Sequence, residues 1–138
     1  MKTMATQIFV NLPVKDLNKS IEFFKNLGYS FNPQFTDENA TCLIISDTIY
    51  VMLLVEPFFK SFTKKAIPDT TQNAQVILAL SAESREGVDD LVNKAIAAGA
   101  TTPNDKQDQG FMYGWGFQDL DGHLWEVMYM DPSAVQQG

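Results

Sequence analysis

The stretch FVNLPVKDLNKSIEFFKNLGY, Phe9 to Tyr29, holds a strand, a helix and the signals at both helix ends. Its apolar run starts slightly earlier, at Gln7 in QIFVNLPV, and closes on Pro13 and Val14. Asp16 then supplies a helix N-cap, because a carboxylate there can accept a first-turn backbone N–H. Leu17, Ile21, Phe24 and Leu27 follow at spacings of three and four, which places them on one helical face. Gly28 is a natural stop, since a helix often ends on a residue of positive φ.

Reading outward, Tyr29 to Phe35, Ala40 to Ser46 and Thr48 to Val55 have strand composition, with polar breaks at Thr36-Asp37-Glu38-Asn39 and at Asp47. The first half therefore reads βαβββ. The order then recurs. Ala74 to Leu80 is a short apolar strand, and Ser84 can cap a helix carrying Val88, Leu91, Val92, Ala95 and Ile96, which Gly99 ends as Gly28 ended the first. Ala100 to Pro103, Phe111 to Phe117 and His123 to Met130 supply three more strands, the last two divided by the turn Asp119-Leu120-Asp121-Gly122.

The copies also align residue by residue. QIFVNLPV from Gln7 lies over QVILALSA from Gln75, and SDTIYVMLLVEP from Ser46 lies over LDGHLWEVMYMD from Leu120. The extra length of the second copy fits one added helical turn and a longer loop, Asn104 to Gly110. A repeated supersecondary unit implies two modules that share a core and leave a concave surface between them. The expected fold is α+β: two tandem βαβββ modules forming a cupped eight-stranded mixed sheet, with the helices on its outer face. Residues 1–138 form one domain on this reading, with module one at about 5–56, a linker at 57–72 and module two at about 73–132.

Composition agrees. A chain of 138 residues that is 45% apolar can bury a core but has no room for a second independent domain. Its 10 Lys plus Arg against 17 Asp plus Glu give net charge -7, so a polyanion is repelled and nucleic acid is not an expected partner. No apolar run approaches the roughly 18–20 residues that a membrane span needs. The start MKTMATQIFV lacks the apolar core of a secretion signal, so a soluble cytoplasmic protein is expected. Cys42 is the sole cysteine, set in an apolar run, and reads as a buried, inert thiol.

FVNLPVKDLNKSIEFFKNLGY near the start and GFMYGWGFQDLDGHLWEVMYMD near the end resemble the vicinal-oxygen-chelate superfamily of glyoxalases, bleomycin-resistance proteins and extradiol dioxygenases. The opening is similar to that family's first strand and helix, with Pro-Val before an Asp-Leu helix start and a Leu-Gly-Tyr turn after it. The close is similar to its last hairpin, an Asp-Gly-His turn followed by a strand bearing glutamate. With the repeat between them, the resemblance covers residues 5 to 132 and extends to the subgroup of predicted lactoylglutathione lyases. It implies a homodimer, to which sedimentation of 15.4 kDa particles alone would be the contrary result.

In metal-dependent members four positions hold one divalent ion, and the resemblance places them at Asn11, Met52, Ala79 and Glu126. Only Glu126 is a strong ligand type, and a transition metal wants three or four side-chain donors, usually including imidazole. The chain's one histidine, His123, lies at odd spacing from Glu126 and reads as a turn residue. The expectation is no metal and no other cofactor, with Glu126 as a residual ligand position should a divalent ion bind.

Alternation places Leu124, Glu126 and Met128 on one face of the last strand, joined toward the cup by Phe9, Asn11, Tyr50, Met52, Leu54, Ile77 and Ala79. Such a lining, apolar with one carboxyl, one amide and one phenol, suits a small molecule with an apolar body and few polar atoms. The expected function is binding of a small organic molecule. The alternative is a lactoylglutathione lyase-like isomerase or other acid–base enzyme in which Glu126 is the catalytic group, its carboxyl desolvated among methionines.

Two further segments stand out. Phe58, Phe59 and Phe62 fall at near-helical spacing between the modules, beside Lys60, Lys64 and Lys65, either as a lid or as an interface. The run Gly110 to Phe117 alternates glycine with aromatics, so Tyr113, Trp115 and Phe117 form one wall. Parity leaves open whether that wall lines the pocket, with Tyr113 as its ligand-contacting member, or the core, since the glycines also permit a bulge.

Overall fold

The computed structural model describes residues 5–133. The chain divides into two compact units, Met1–Pro68 and Asp69–Gly138. The N-terminal unit runs β1 (Ile8–Val14), α1 (Leu17–Asn26), β2 (Ser30–Asn32), a 3-10 turn (Pro33–Phe35), β3 (Ala40–Ile44), β4 (Ile49–Val55) and α2 (Glu56–Lys60). The C-terminal unit runs β5 (Ile77–Ser81), α3 (Arg85–Ala97), β6 (Gln107–Asp108), β7 (Met112–Gln118) and β8 (Leu124–Met130).

Each unit holds one four-stranded mixed sheet of the same topology. The orders are β1-β4-β3-β2 and β5-β8-β7-β6. In both, the first strand pairs parallel with the fourth, and the remaining pairs are antiparallel. The eight strands, the mixed pairing and the repeated βαβββ order are those expected, carried in two sheets of four.

The helix ends are built alike. The Asp16 carboxylate accepts from Lys19 N at 3.1 Å, and the Ser84 hydroxyl accepts from Gly87 N at 2.9 Å. At the far ends Gly28 and Gly99 take φ of 102° and 115°. This lets Tyr29 N reach back to Phe24 O at 3.1 Å and Ala100 N to Ala95 O at 2.9 Å. Both closures satisfy carbonyls that a helix terminus otherwise leaves open.

Each helix covers one face of its own sheet. In the N-terminal unit Leu12, Val14, Leu43, Val51 and Leu53 are buried with Leu17, Phe23, Phe24 and Leu27. The buried stripe of α1 differs from the expected one at a single step: Ser20 and Phe23 turn inward and Ile21 stays half-exposed. On α3 Val88, Val92 and Ala95 are buried, whereas Leu91 is half-exposed and Ile96 lies 41% exposed. Cys42 is buried on β3, and desolvation pushes its thiol above the ordinary range, away from the reactive thiolate.

Three strand boundaries are corrected. The strand expected from Tyr29 to Phe35 ends at Asn32, because Pro33 has no N–H to give the ladder and the Asn32 side chain accepts from Gln34 N at 3.0 Å, bending the chain into the 3-10 turn. The strand expected from Ala74 begins only at Ile77. The strand expected at Ala100 to Pro103 is absent; Thr101 makes one isolated bridge to Gln118, and the sheet edge is formed instead by Gln107–Asp108. Among the described residues, no helix is long and apolar enough to cross a membrane.

Candidate functional site

The sheet face away from α1 carries the N-terminal candidates. Parallel pairing sets Phe9 opposite Tyr50, Asn11 opposite Met52 and Pro13 opposite Leu54, while Leu12, Val51 and Leu53 alternate to the helix side. The Phe9 and Tyr50 rings stack at 4.7 Å with 13° between their planes. The Tyr50 hydroxyl donates to Asp47 O at 2.7 Å, and the Asn11 amide donates to Phe9 O at 3.4 Å.

The segment after β4 comes to the same face. Pro57 stands in the first turn of α2, where its missing N–H costs no helical bond. Ser61 closes the far end, its hydroxyl donating to Phe58 O at 2.6 Å. Phe58 and Phe62 meet edge to face at 5.1 Å. A cavity of about 450 Å³ results, lined by Asn11, Leu54, Phe59, Phe62 and Thr63. Phe62 is 70% exposed, so its ring is held at this wall with little burial of its own. Thr63 is a lining residue that sequence reasoning missed, since nothing in its pattern separates it from the other polar residues of the connecting segment.

In the C-terminal unit Ile77 pairs with Leu124, Ala79 with Glu126 and Ser81 with Met128. Trp125 and Val127 are buried on the opposite, helix-covered face, whereas Leu124, Glu126 and Met128 are half-exposed. A second cavity, of about 330 Å³, is lined by Ala79, Leu80, Ser81, Ala82, Met128 and Met130. Antiparallel pairing sets Gly116 opposite Glu126 and Gly114 opposite Met128. A Cβ at Gly116 would lie 2.5 Å from Glu126 Oε2 and 2.6 Å from Trp125 O, so the carboxylate rests in the space this glycine leaves. Glu126 has no hydrogen-bond partner within the described residues of its own unit. The glycine was legible as a close-approach position, but not as the bed of this carboxylate.

Tyr113 is not on this face. It shares parity with Trp115 and Phe117, opposite Tyr129, Val127 and Trp125, and the β7–β8 register runs without a bulge from Met112 to Gln118. Its hydroxyl donates to Asp89 Oδ1 of α3 at 2.7 Å, a bond that together with burial raises its pKa, and the Arg85 guanidinium lies 5.1 Å from its ring. Tyr113 therefore belongs to the α3 side of the sheet, apart from Glu126 and Met128. The wall it forms with Trp115 and Phe117 faces the core.

His123 is buried in the turn before β8. Its backbone N–H, with that of Asp121, is bound by Asp119 Oδ1, while Asp119 Oδ2 takes the Trp125 indole N–H at 3.0 Å.

The four positions of the metal quartet fall into two adjacent pairs, Asn11 beside Met52 and Ala79 beside Glu126. Their donor set is one amide, one thioether, one methyl and one carboxylate, which does not fit a divalent ion held at useful affinity. No group of three or more His, Cys, Asp or Glu that could hold a metal occurs among the described residues.

A family model described as bleomycin resistance protein-like N-terminal matches residues 6–46. The fold is shared with a hypothetical protein from S. aureus at 31% identity, covering 92% of this chain and 95% of that one with a TM-score of 0.77. It is shared as well with a glyoxalase/bleomycin resistance protein/dioxygenase family enzyme from Burkholderia phytofirmans PsJN, at 17% identity, 88% and 96% coverage and a TM-score of 0.73. The chain belongs to the vicinal-oxygen-chelate superfamily. A mutant fosfomycin resistance protein from Listeria monocytogenes, complexed with Mn(II) and a dihydroxypropylphosphonic acid, has the superfamily fold too, at 21% identity, 92% and 90% coverage and a TM-score of 0.64. No curated protein matches the sequence.

Proposed function

We propose that this superfamily member binds a small organic molecule with an apolar body on the Asn11 side of its N-terminal sheet, without the divalent ion used by metal-dependent relatives. The observation that carries the reading is the cavity of about 450 Å³ in which one amide, Asn11, is set among Leu54, Phe59 and Phe62. That volume falls within the range of small-molecule sites, and two polar groups, the Asn11 amide and the Thr63 hydroxyl, set among apolar side chains orient a ligand without dominating its affinity.

The test is calorimetric titration of a panel of glutathione adducts, aromatic antibiotics including bleomycin, catechols and fosfomycin, against protein purified without chelator and assayed for metal. Phe62→Ala is expected to weaken the compound that binds about tenfold while leaving Tm nearly unchanged, since so exposed a ring adds little to folding. Affinity unaffected by Phe62→Ala would move the ligand elsewhere. Stoichiometric nickel, zinc, iron or manganese would overturn the metal-free part.

One observation favours a second reading, an acid–base enzyme or lactoylglutathione lyase-like isomerase. The Glu126 carboxylate lies against Gly116 with no hydrogen-bond partner among the described residues of its unit, so its oxygens are not committed to a protein donor there. Glu126→Gln keeps the shape and removes the base. If turnover of a substrate is found, this variant is expected to lower kcat at least a hundredfold with KM little changed; unaltered kcat would remove the catalytic role.

A further inference from the structure

A cavity of about 610 Å³ opens on the helix side of the N-terminal sheet, beside α1 and the edge formed by β2 and the 3-10 turn. Ile21 and Lys25, one turn apart on α1, line it with Tyr29, Phe31, Thr36 and Thr41. Thr41 pairs with Leu53, whereas Cys42 pairs with Met52, so this cavity and the Asn11 face lie on opposite sides of one sheet.

The internal repeat explains why the space is open. The alignment that lays Ser46 over Leu120 lays Thr41 over Trp115, and the strand registers agree: Thr41 stands opposite Leu53, and Trp115 opposite Val127, the counterpart of Leu53. In the C-terminal unit this place is filled by the Trp115 indole, with the Lys106 ammonium 4.6 Å from its ring centroid. The N-terminal unit has only a threonine there. The second copy thus shows what the position accommodates: a flat aromatic ring beside a cation.

The polar groups around the opening divide into bonded and free. The Thr36 and Thr41 hydroxyls bond each other at 2.9 Å, and Thr36 donates to Asn32 O at 2.7 Å. The Tyr29 hydroxyl and the Lys25 ammonium have no partner among the described residues. Tyr29 packs its ring against Phe24 at 6.4 Å, and burial raises its pKa, so the phenol keeps its proton and acts as a donor at neutral pH. With the Ser30 hydroxyl, which also lines the opening and has no partner among the described residues, three unengaged donors, one of them cationic, stand at the mouth of the cavity and match an acceptor-rich anion on an aromatic body.

We propose that this cavity is a binding site for a small aromatic carboxylate, its ring occupying the place that Trp115 fills in the other copy and its carboxylate meeting Lys25 and the Tyr29 hydroxyl. The site is independent of the one on the Asn11 face.

Titration of the 15N-labelled full chain with indole-3-propionate tests it. Saturable amide shifts are expected over Lys25 to Thr36, with Kd on the order of 0.1–1 mM for so small a ligand. Lys25→Gln and Tyr29→Phe should each weaken binding about fivefold, and the uncharged alcohol indole-3-propanol should bind at least fivefold more weakly than the acid. Both variants retain the wild-type side-chain framework, and the spectra report their folding directly. Absence of saturable shifts at these amides up to about 10 mM, equal affinity for acid and alcohol, or shifts confined to Asn11, Leu54 and Phe59 to Thr63 would each overturn the proposal.

Discussion

Asp119→Ala is expected to destabilise the protein by about 3–5 kcal/mol, a fall in Tm on the order of 10–20 °C. The Asp119 carboxylate is buried and holds three donors: Asp121 N at 2.9 Å, His123 N at 3.0 Å and the Trp125 indole N–H at 3.0 Å. Alanine strands all three, two of them on backbone that cannot rotate away and the third on the fully buried Trp125. The turn also sets the phase of β8, since Asp119 N binds His123 O at 3.0 Å immediately before that strand begins. Asp119→Asn should cost less, about 1–2 kcal/mol, because the amide oxygen still accepts on one side while its nitrogen meets a donor on the other.

The pH dependence has a definite sign. Burial holds the Asp119 carboxyl above the ordinary carboxylate range, against the opposing pull of the His123 imidazole and the N–H donors. A group whose folded pKa is raised gives its full stabilisation below the unfolded value of about 3.9, and loses it as pH rises through the folded value. Asparagine does not titrate. The stability advantage of the native chain over Asp119→Asn should therefore be larger near pH 4 than near pH 7, measured by guanidinium unfolding at both. A gap that widens with pH would contradict the burial argument, and an Asp119→Ala penalty under about 1 kcal/mol would show the three bonds to be dispensable.

This turn also marks how far the sequence could be read. Gly28 and Gly99 announced the helix ends because positive φ has few other occupants, and period-two alternation sorted Glu126 and Met128 from Trp125 and Val127 because one face of each sheet is covered by its own helix. Asp119 was legible as a turn former, but its grip on Trp125 was not, since that contact depends on how the turn folds back over the strand. Similarly, Tyr113, Trp115 and Phe117 were separable as one face by parity. Which face was open, because glycine-interrupted strands accept bulges, and only the unbroken register to β8 assigned them to α3. The edge strand misread at Ala100 to Pro103 had strand-like composition; Pro103 denies the ladder a donor, and pairing waits for Gln107. For the site, the residues on the sheets followed from alternation, whereas the approach of Phe59, Phe62 and Thr63 to Asn11 depends on the path of a connecting segment that no periodicity encodes.

The glycines of β7 offer a sharper test, because two of them share one face, two residues apart, and should respond oppositely. A Cβ at Gly114 would meet Met128 Cγ at 3.5 Å and Val127 O at 3.6 Å, ordinary contacts with a flexible side chain on one of them. Gly114→Ala is expected to be neutral or to stabilise by up to about 1 kcal/mol, as alanine lowers the entropy of the unfolded chain. At Gly116 the same methyl would stand 2.6 Å from Trp125 O and 2.5 Å from Glu126 Oε2. The carboxylate can swing aside, but the carbonyl belongs to β8, so the β7–β8 pair must spread where Gly116 faces Glu126. Gly116→Ala should cost about 2–3 kcal/mol, the scale of overpacking in a closely packed interior. Adding Glu126→Gln should recover little of that loss, because the carbonyl clash remains, whereas a clash with the carboxylate alone would be largely relieved by Glu126→Ala. Chemical unfolding of the two alanine variants side by side decides the matter: equal stabilities would mean that β7 has room at both positions and that Glu126 is not seated on Gly116.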